Sequence, residues 1–242
     1  MPKPGWSLQP SLSWTRTIGL SMPRRGLSYV GPMHDPVDVW VIVVAAGRGS
    51  RFGRPKQYEV VAGHRLLDWS VGAARSVADG IVLVVPPGAE RDDEAAVEAV
   101  VAGGATRSAS VRAGLDAVPA TVGIVLVHDA ARPMASASLF AAVVDAVRAG
   151  ADAVVPAVAL VDAVRSRDGG PVDREQLLAV QTPQGFRADA LRTAHATAPE
   201  ASDDAVLVEA AGGRLVIVDG ERSNFKITEP PDLVLAAAIL GS

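Results

Sequence analysis

The residues best suited to chemistry lie between positions 45 and 56, where Ala45-Ala46-Gly47-Arg48-Gly49-Ser50-Arg51 is followed by Pro55-Lys56. Gly47 and Gly49 leave out side chains where a backbone must turn and approach a partner closely. Exposed N–H groups in such a loop form a cradle for anions. Arg51, Arg54 and Lys56 add positive charge beside it. The combination reads as a polyphosphate site. Phe52 stands where the third glycine of the dinucleotide fingerprint belongs, so that fingerprint is excluded. A Walker A loop is excluded too, since no G-K-[ST] follows. A glycine turn without a ligand is the alternative. The coincidence of glycines, cations and a strand terminus weighs against it.

An element has to present this loop. Val41 to Val44 is a run of β-branched residues that reads as a buried parallel strand. Open α/β sheets bind ligands at the carboxyl ends of such strands. Downstream, a helical stripe from Leu66 to Val77 leads to a strand at Ile81 to Val85, stopped by Pro86-Pro87. Glu90 to Val101 reads as a helix, with room for a short strand at its end. Gly103-Gly104 is a turn before a helix from Ser108 to Val118. A strand at Ile124 to Val127 ends in His128-Asp129. A helix from Leu139 to Ala149 and a strand from Ala153 to Val158 follow. The alternation predicts an α/β fold of βαβ units with a mostly parallel sheet.

From Ala159 the rhythm breaks, and Ser166-Arg167-Asp168-Gly169-Gly170-Pro171 carries strong turn chemistry. Residues 159–178 are read as a β-hairpin arm projecting from the sheet. Helix, strand and helix return between Ala188 and Leu240. Residues 1–38 lack sustained periodicity and are expected to be a disordered extension, or sequence upstream of a start at Met33. Residues 39–242 form the single folded domain.

Composition narrows the function. The chain has 242 residues, 49% hydrophobic and 21% charged, which suits one α/β domain with a sizeable core. A net charge of -4 argues against a nucleic-acid partner. With no cysteine, thiolate metal sites and disulfides are excluded. The histidines at 34, 64, 128 and 195 show no metal-ligand spacing. No apolar run approaches the ~20 residues of a membrane span, so no membrane partner is expected.

Five segments converge at the carboxyl edge of the expected sheet: 45–56, Gly103 to Ser110, His128-Asp129-Ala130-Ala131-Arg132-Pro133, Gln181-Thr182-Pro183-Gln184, and Asn224-Phe225-Lys226-Ile227-Thr228. Over residues 40 to 241 the set resembles the 2-C-methyl-D-erythritol 4-phosphate cytidylyltransferase family. The V-H-D-A-A-R-P and Q-T-P-Q motifs are specific to that group, whereas A-A-G-x-G-x-R…P-K is shared with many nucleotidyltransferases.

The resemblance implies a Rossmann-like nucleotidyltransferase domain and a reaction. CTP and a polyol phosphate, methylerythritol 4-phosphate, give the CDP-linked alcohol and pyrophosphate in non-mevalonate isoprenoid synthesis. It also implies roles. Arg51, Lys56 and Lys226 would be catalytic. Ala45, Ala46, Gly47, Gly49, Ser50, Gly104, Ser110 and Asp129 would bind nucleotide, with Asp129 also holding Mg²⁺ or another divalent cation. Arg132, Arg174, Ser202 and Asp203 would bind the acceptor. A homodimer, with the arm at 159–178 reaching the other chain's site, and a cytoplasmic location are expected.

Three departures from the family pattern stand out. Ala163 follows Asp162 where a threonine is usual, Ala105 follows Gly104 where an acidic residue is frequent, and the loop from Arg51 to Lys56 is short. Ala163 leaves the acceptor open, with ribitol 5-phosphate as a rival substrate. A nucleotide-binding protein without catalysis is the alternative from another class. The intact cations and Asp129 argue against it.

Overall fold

A computed structural model describes residues 38–47, 49, 52–89, 94 and 96–241. The expectations for residues 1–37, and those for Ser50 and Arg51, lie outside the described residues. β1 (Val39–Val44) is β-branched at every position but Trp40, a composition that fits a pleated, buried strand. A small hairpin of β2 (Val60–Val61) and β3 (His64–Arg65) leads into α1 (Leu66–Arg75). Then come β4 (Gly80–Val85), β5 (Ala99–Ala102), α2 (Arg107–Asp116), β6 (Ile124–Asp129), α3 (Ala137–Arg148) and β7 (Ala153–Ala159). The arm holds β8 (Val164–Arg165) and β9 (Pro171–Val172), and β10 (Leu178–Val180) and β11 (Gln184–Arg187) return to the sheet. α4 (Ala188–His195), α5 (Asp204–Ala210), β12 (Leu215–Asp219) and α6 (Asp232–Leu240) complete the described chain.

The main sheet has eight strands among the described residues. β1 lies between β4 and β6, both parallel to it, so Val41 is opposite Ile81 on one side and Leu126 on the other. β5 extends the sheet beyond β4, and β12 runs parallel on β7. β10 and β11 run antiparallel to their neighbours, with β11 joining β6 to β7. The chain therefore winds outward in both directions from the β1–β6 pair. A crevice opens at the carboxyl ends of these two strands, which is where such sheets bind ligands.

Strand alternation sends side chains to two separate cores. Val41 and Val43 pack with Leu67 and Val71 of α1 and with Phe140 and Val143 of α3. Ile42 and Val82 pack on the other face with Val111 and Leu115 of α2, Leu191 of α4 and Val208 of α5. A third cluster of Phe52, Leu66, Met134, Ile227 and Ala236 ties α6 and the segment before it to the first loop. Among the described residues no helix is long and apolar enough to cross a membrane.

The helix read from Glu90 to Val101 is absent where this stretch is described, whereas the short strand allowed at its end is present. Glu94 and residues 96–98 are not helical, and Ala99–Ala102 is a strand paired with Val82–Val85. Glu98 is used locally: its carboxylate accepts the N–H of Ile81 at 2.5 Å and pairs with Arg75 at 3.0 Å. Completing the open edge of β4 outweighs the helix propensity of the Glu/Ala-rich stretch. The arm is present as expected, with β8 and β9 antiparallel across the Ser166–Gly170 turn.

Candidate active site

The loop after β1 owes its path to Gly49. Its φ is +63°, and a Cβ there would lie 1.9 Å from the carbonyl oxygen of Arg54. Only glycine fits. The Gly49 carbonyl accepts from the N–H groups of Phe52 and Gly53, both at 2.8 Å, closing a tight turn. Pro55 then starts a short 3-10 helix, Lys56–Tyr58, and the Lys56 ammonium donates to the carbonyl of Ile227. Arg54 does not join the cleft's cations, because its guanidinium makes a two-point pair with Glu59 at 2.5 and 2.7 Å.

The second wall is the turn before α2. A Cβ on Gly103 would lie 2.3 Å from the Ala46 Cβ, and one on Gly104 would lie 2.4 Å from the Ala109 Cβ. The Gly103 backbone thus packs on the Ala46 side chain of the first loop, and Gly104 packs on the first turn of its own helix. Thr106 caps α2, its side chain accepting the Ala109 N–H at 3.0 Å. Ser110 is buried rather than on the helix surface. Its hydroxyl accepts from the Gly104 N–H at 3.1 Å and donates to the Thr106 carbonyl at 2.9 Å, fixing the turn.

β6 delivers His128 and Asp129 to the crevice. Asp129 Oδ2 accepts from Lys226 Nζ at 2.6 Å, and Arg107 Nε stands 3.5 Å from Oδ1. Burial would push this carboxyl up, but Lys226 and Arg107 outweigh it and hold Asp129 well below the usual carboxylate range. Arg107 is pulled both ways. Burial disfavours its charge, and Asp129 and Asp204 favour it more, so its pKa rises.

His128 is fully buried, and burial lowers its pKa to about 4. Its Nε2 faces the Arg132 carbonyl at 3.2 Å, and its Nδ1 faces the Thr182 hydroxyl at 3.1 Å. A carbonyl can only accept, so the proton sits on Nε2. Thr182 in turn accepts the Asp129 N–H at 3.0 Å. His128 is a neutral brace behind Asp129.

These parts enclose a cleft of about 340 Å³. Of the residues singled out in the sequence, Ala45, Ala46, Gly47, Gly49, Lys56, Gly104, Ser110, Asp129 and Lys226 line it. The acceptor candidates do not. Arg132 donates to the carbonyls of Asn224 at 2.7 Å and Val180 at 3.3 Å. Arg174 lies on the exposed arm, bonded to the Val161 carbonyl, and shares a shallow groove with Ala163. Asp203 caps α5 by accepting the Val206 N–H at 3.1 Å, leaving Ser202 exposed beside it.

Sequence reasoning passed over the role of Arg107, which lines the cleft and bonds Asp204 at 2.7 Å across 97 residues of chain. One signal was available. An arginine in the first turn of a helix opposes the helix dipole and calls for acidic partners.

The sheet, its crevice and the paired cation and carboxylate at the strand end define an α/β nucleotidyltransferase. Comparison with known proteins narrows the class. The family model for IspD, 2-C-methyl-D-erythritol 4-phosphate cytidylyltransferase, matches residues 39–242. The protein of that name from Streptomyces coelicolor is 42% identical over 231 residues, covering 85% of this chain and 86% of the relative. A Thermus thermophilus protein of the same name is 45% identical over 213 residues, covering 84% of this chain and 97% of the relative. The crystal structure of a Thermus thermophilus enzyme of this name superposes with a TM-score of 0.74 at 42% identity, covering 84% of this chain and 98% of that one. The chain belongs to the 2-C-methyl-D-erythritol 4-phosphate cytidylyltransferase family.

Proposed function

We propose that this chain transfers a cytidylyl group from CTP to 2-C-methyl-D-erythritol 4-phosphate. The products are 4-diphosphocytidyl-2-C-methyl-D-erythritol and pyrophosphate, an early step of non-mevalonate isoprenoid synthesis. The observation that carries the reading is the cleft at the β1 and β6 termini, where four separate segments bring glycine loops, Lys56, Lys226 and Asp129 together in a member of this family.

An oxygen of the acceptor phosphate attacks the α-phosphorus of CTP, and the bond to the bridging oxygen breaks so that pyrophosphate leaves. No protein nucleophile is needed. Catalysis is positioning plus stabilisation of charge. The backbone at Gly47 to Ser50 cradles the β- and γ-phosphates. Lys56 and Arg51 neutralise charge on the leaving group and the α-phosphoryl oxygens. Lys226, held beside Asp129, meets the α-phosphate. The tight turn at Gly104 and Ser110 accepts a pyrimidine and excludes a purine, with Ala45 and Ala46 flooring the nucleotide.

Among the described residues no cluster of three or more His, Asp or Glu side chains could hold a metal by itself. Asp129 is a lone ionised carboxylate at the cleft. That donor set fits Mg²⁺ shared with substrate phosphates. Bound there, the ion would supply further neutralisation of the triphosphate. Asp129 would hold it, while Thr182 accepts the Asp129 N–H and is itself braced by His128.

On the acceptor side, Arg132 steadies the Asn224–Lys226 segment and β10, Ser202 and Asp203 face the polyol, and Arg174 clamps its phosphate. Because Arg174 lies on the arm and not in its own chain's cleft, it serves the site of a second copy in a homodimer. A cytoplasmic location accords with these substrates.

A pyrophosphate-release assay with a panel of triphosphates and polyol phosphates tests the reading. CTP with methylerythritol phosphate should turn over, and excess EDTA should stop it. Equal turnover with ATP or GTP, a preference for ribitol 5-phosphate, or full activity in EDTA would overturn the corresponding part.

A further inference from the structure

We infer that the Arg107–Asp204 ion pair is a positioning device that locks the loop carrying Ser202 and Asp203 to the nucleotide cleft. Arg107 is the residue common to both. The inference rests on the reading of Ser202 and Asp203 as acceptor-facing.

Asp204 is fully buried, and its two oxygens are both engaged, one by Arg107 Nη1 at 2.7 Å and the other by His195 Nε2 at 3.0 Å. A carboxylate removed from water in this way requires such partners. Arg107 is therefore not free to turn. Anchored through Nη1, it presents Nε toward Asp129 at 3.5 Å, at the position where the cleft would meet the triphosphate.

The same helix makes two more ties to the same loop. Ser108 Oγ lies 3.3 Å from the Ala201 N–H and 3.5 Å from its carbonyl. Arg112 donates to the Pro199 carbonyl at 2.8 Å and to Glu200 at 2.9 Å. One face of α2 is thus fastened to residues 199–204, while its first turn sits beside Asp129 and the Gly103-Gly104 turn. The loop is seated on the sheet by apolar packing of Ala201, Ala205 and Val208, and α2 adds the polar ties that fix how its tip stands relative to the cleft. A misplacement of ~1 Å in a reacting pair can cost on the order of 10²-fold in rate.

The test compares Asp204→Asn, Asp204→Glu, Arg112→Ala and Ser202→Ala with the parent enzyme. KM for each substrate, kcat, equilibrium CTP binding and melting temperature are measured. Asp204→Asn keeps an acceptor for His195 but weakens the hold on Arg107. It should raise KM for the polyol phosphate by about tenfold and weaken CTP binding by less, about threefold, because Arg107 keeps its partner Asp129 in the cleft while the loop at 199–204 loses its buried anchor. Asp204→Glu should recover part of the loss. Arg112→Ala, farther from the cleft, should show the same split at about threefold.

If Asp204→Asn fails to fold, Arg112→Ala decides alone. Folded variants with both KM values at the parental level, or with CTP binding lost as far as acceptor binding, would overturn the inference. Ser202→Ala separates the two readings. An unmoved acceptor KM there would mean that the loop does not face the acceptor, whereas a raised one with unaffected Asp204→Asn would remove the positioning role alone.

Discussion

Lys226 and Asp129 are 97 residues apart in the chain, yet Lys226 Nζ lies 2.6 Å from Asp129 Oδ2. The pair joins the end of β6 to the segment before α6. A cation and an acid thus stand together at the cleft, where the proposed reaction would build negative charge. Removing the cation should therefore act on the transition state more than on binding. Lys226→Ala and Lys56→Ala should each lower kcat on the order of 10²-fold, as for loss of one positioned donor. Arginine at either position should not restore the rate, since a planar fork replaces a compact point charge. Steady-state kinetics that show only a change in KM would refute both assignments.

The arm makes a second prediction. An isolated two-stranded hairpin is marginal in water, and two-fold association is the commonest way to cover one. Leu178 and Val180 at the arm's base are exposed in the single chain. Arg174→Ala should raise KM for the polyol phosphate and spare KM for CTP. Mixing Arg174→Ala with Lys56→Ala protein should return activity on subunit exchange, because one site per mixed dimer carries neither lesion. An exchanged mixture that stays inactive would exclude a shared site.

Acid should weaken the fold through His128. Its pKa falls from 6.5 to about 4 on burial, so between these values the unfolded chain binds the proton that the folded chain refuses. The contribution is complete above pH 6.5 and is lost as pH falls toward 4, by about 3 kcal/mol at most. Urea unfolding of the parent should show stability rising with pH across that window. His128→Gln should flatten the slope even if it is less stable at about neutral pH. A parent curve level across the same window would contradict the buried neutral imidazole.

Gly49→Ala should be severe for one added carbon. The left-handed backbone strains any side chain, and the new Cβ would meet the Arg54 carbonyl. A loss above about 1 kcal/mol of stability or a collapse of CTP affinity is expected, read by thermal melting and by nucleotide titration. Gly53→Ala is the control, since the space around it is open, although its φ of +84° carries the same strain.

Much of this was legible in the chain. β1 announces itself through β-branched residues that end in glycines, and the alternation of strands and helices prescribed the parallel sheet. Asp129 was conspicuous because an acidic residue closes an apolar strand. Other features were hidden because they depend on partners remote in sequence. Nothing near Glu98 says that its carboxylate will take the Ile81 N–H, so the stretch before β5 read as helix. Ser110 was singled out only through the family resemblance, since its burial and its bond to the Gly104 N–H depend on how the turn folds back. The Arg107–Asp204 pair joins segments that no local pattern connects. The resemblance offered Arg132 as an acceptor ligand, and only the fold shows that its guanidinium donates to the backbone carbonyls of Asn224 and Val180.

The contact between Ala46 and Gly103 carries a consequence for how such sequences can diverge. With 2.3 Å between the Ala46 Cβ and a Cβ built on Gly103, the two positions share a single volume. A methyl group at one forbids a methyl group at the other. Glycine at position 46 would not by itself admit alanine at 103, because the new Cβ would still lie 2.9 Å from Ser110 Oγ, so change at Gly103 is conditional on both neighbours and an unpaired gain of bulk should be purged.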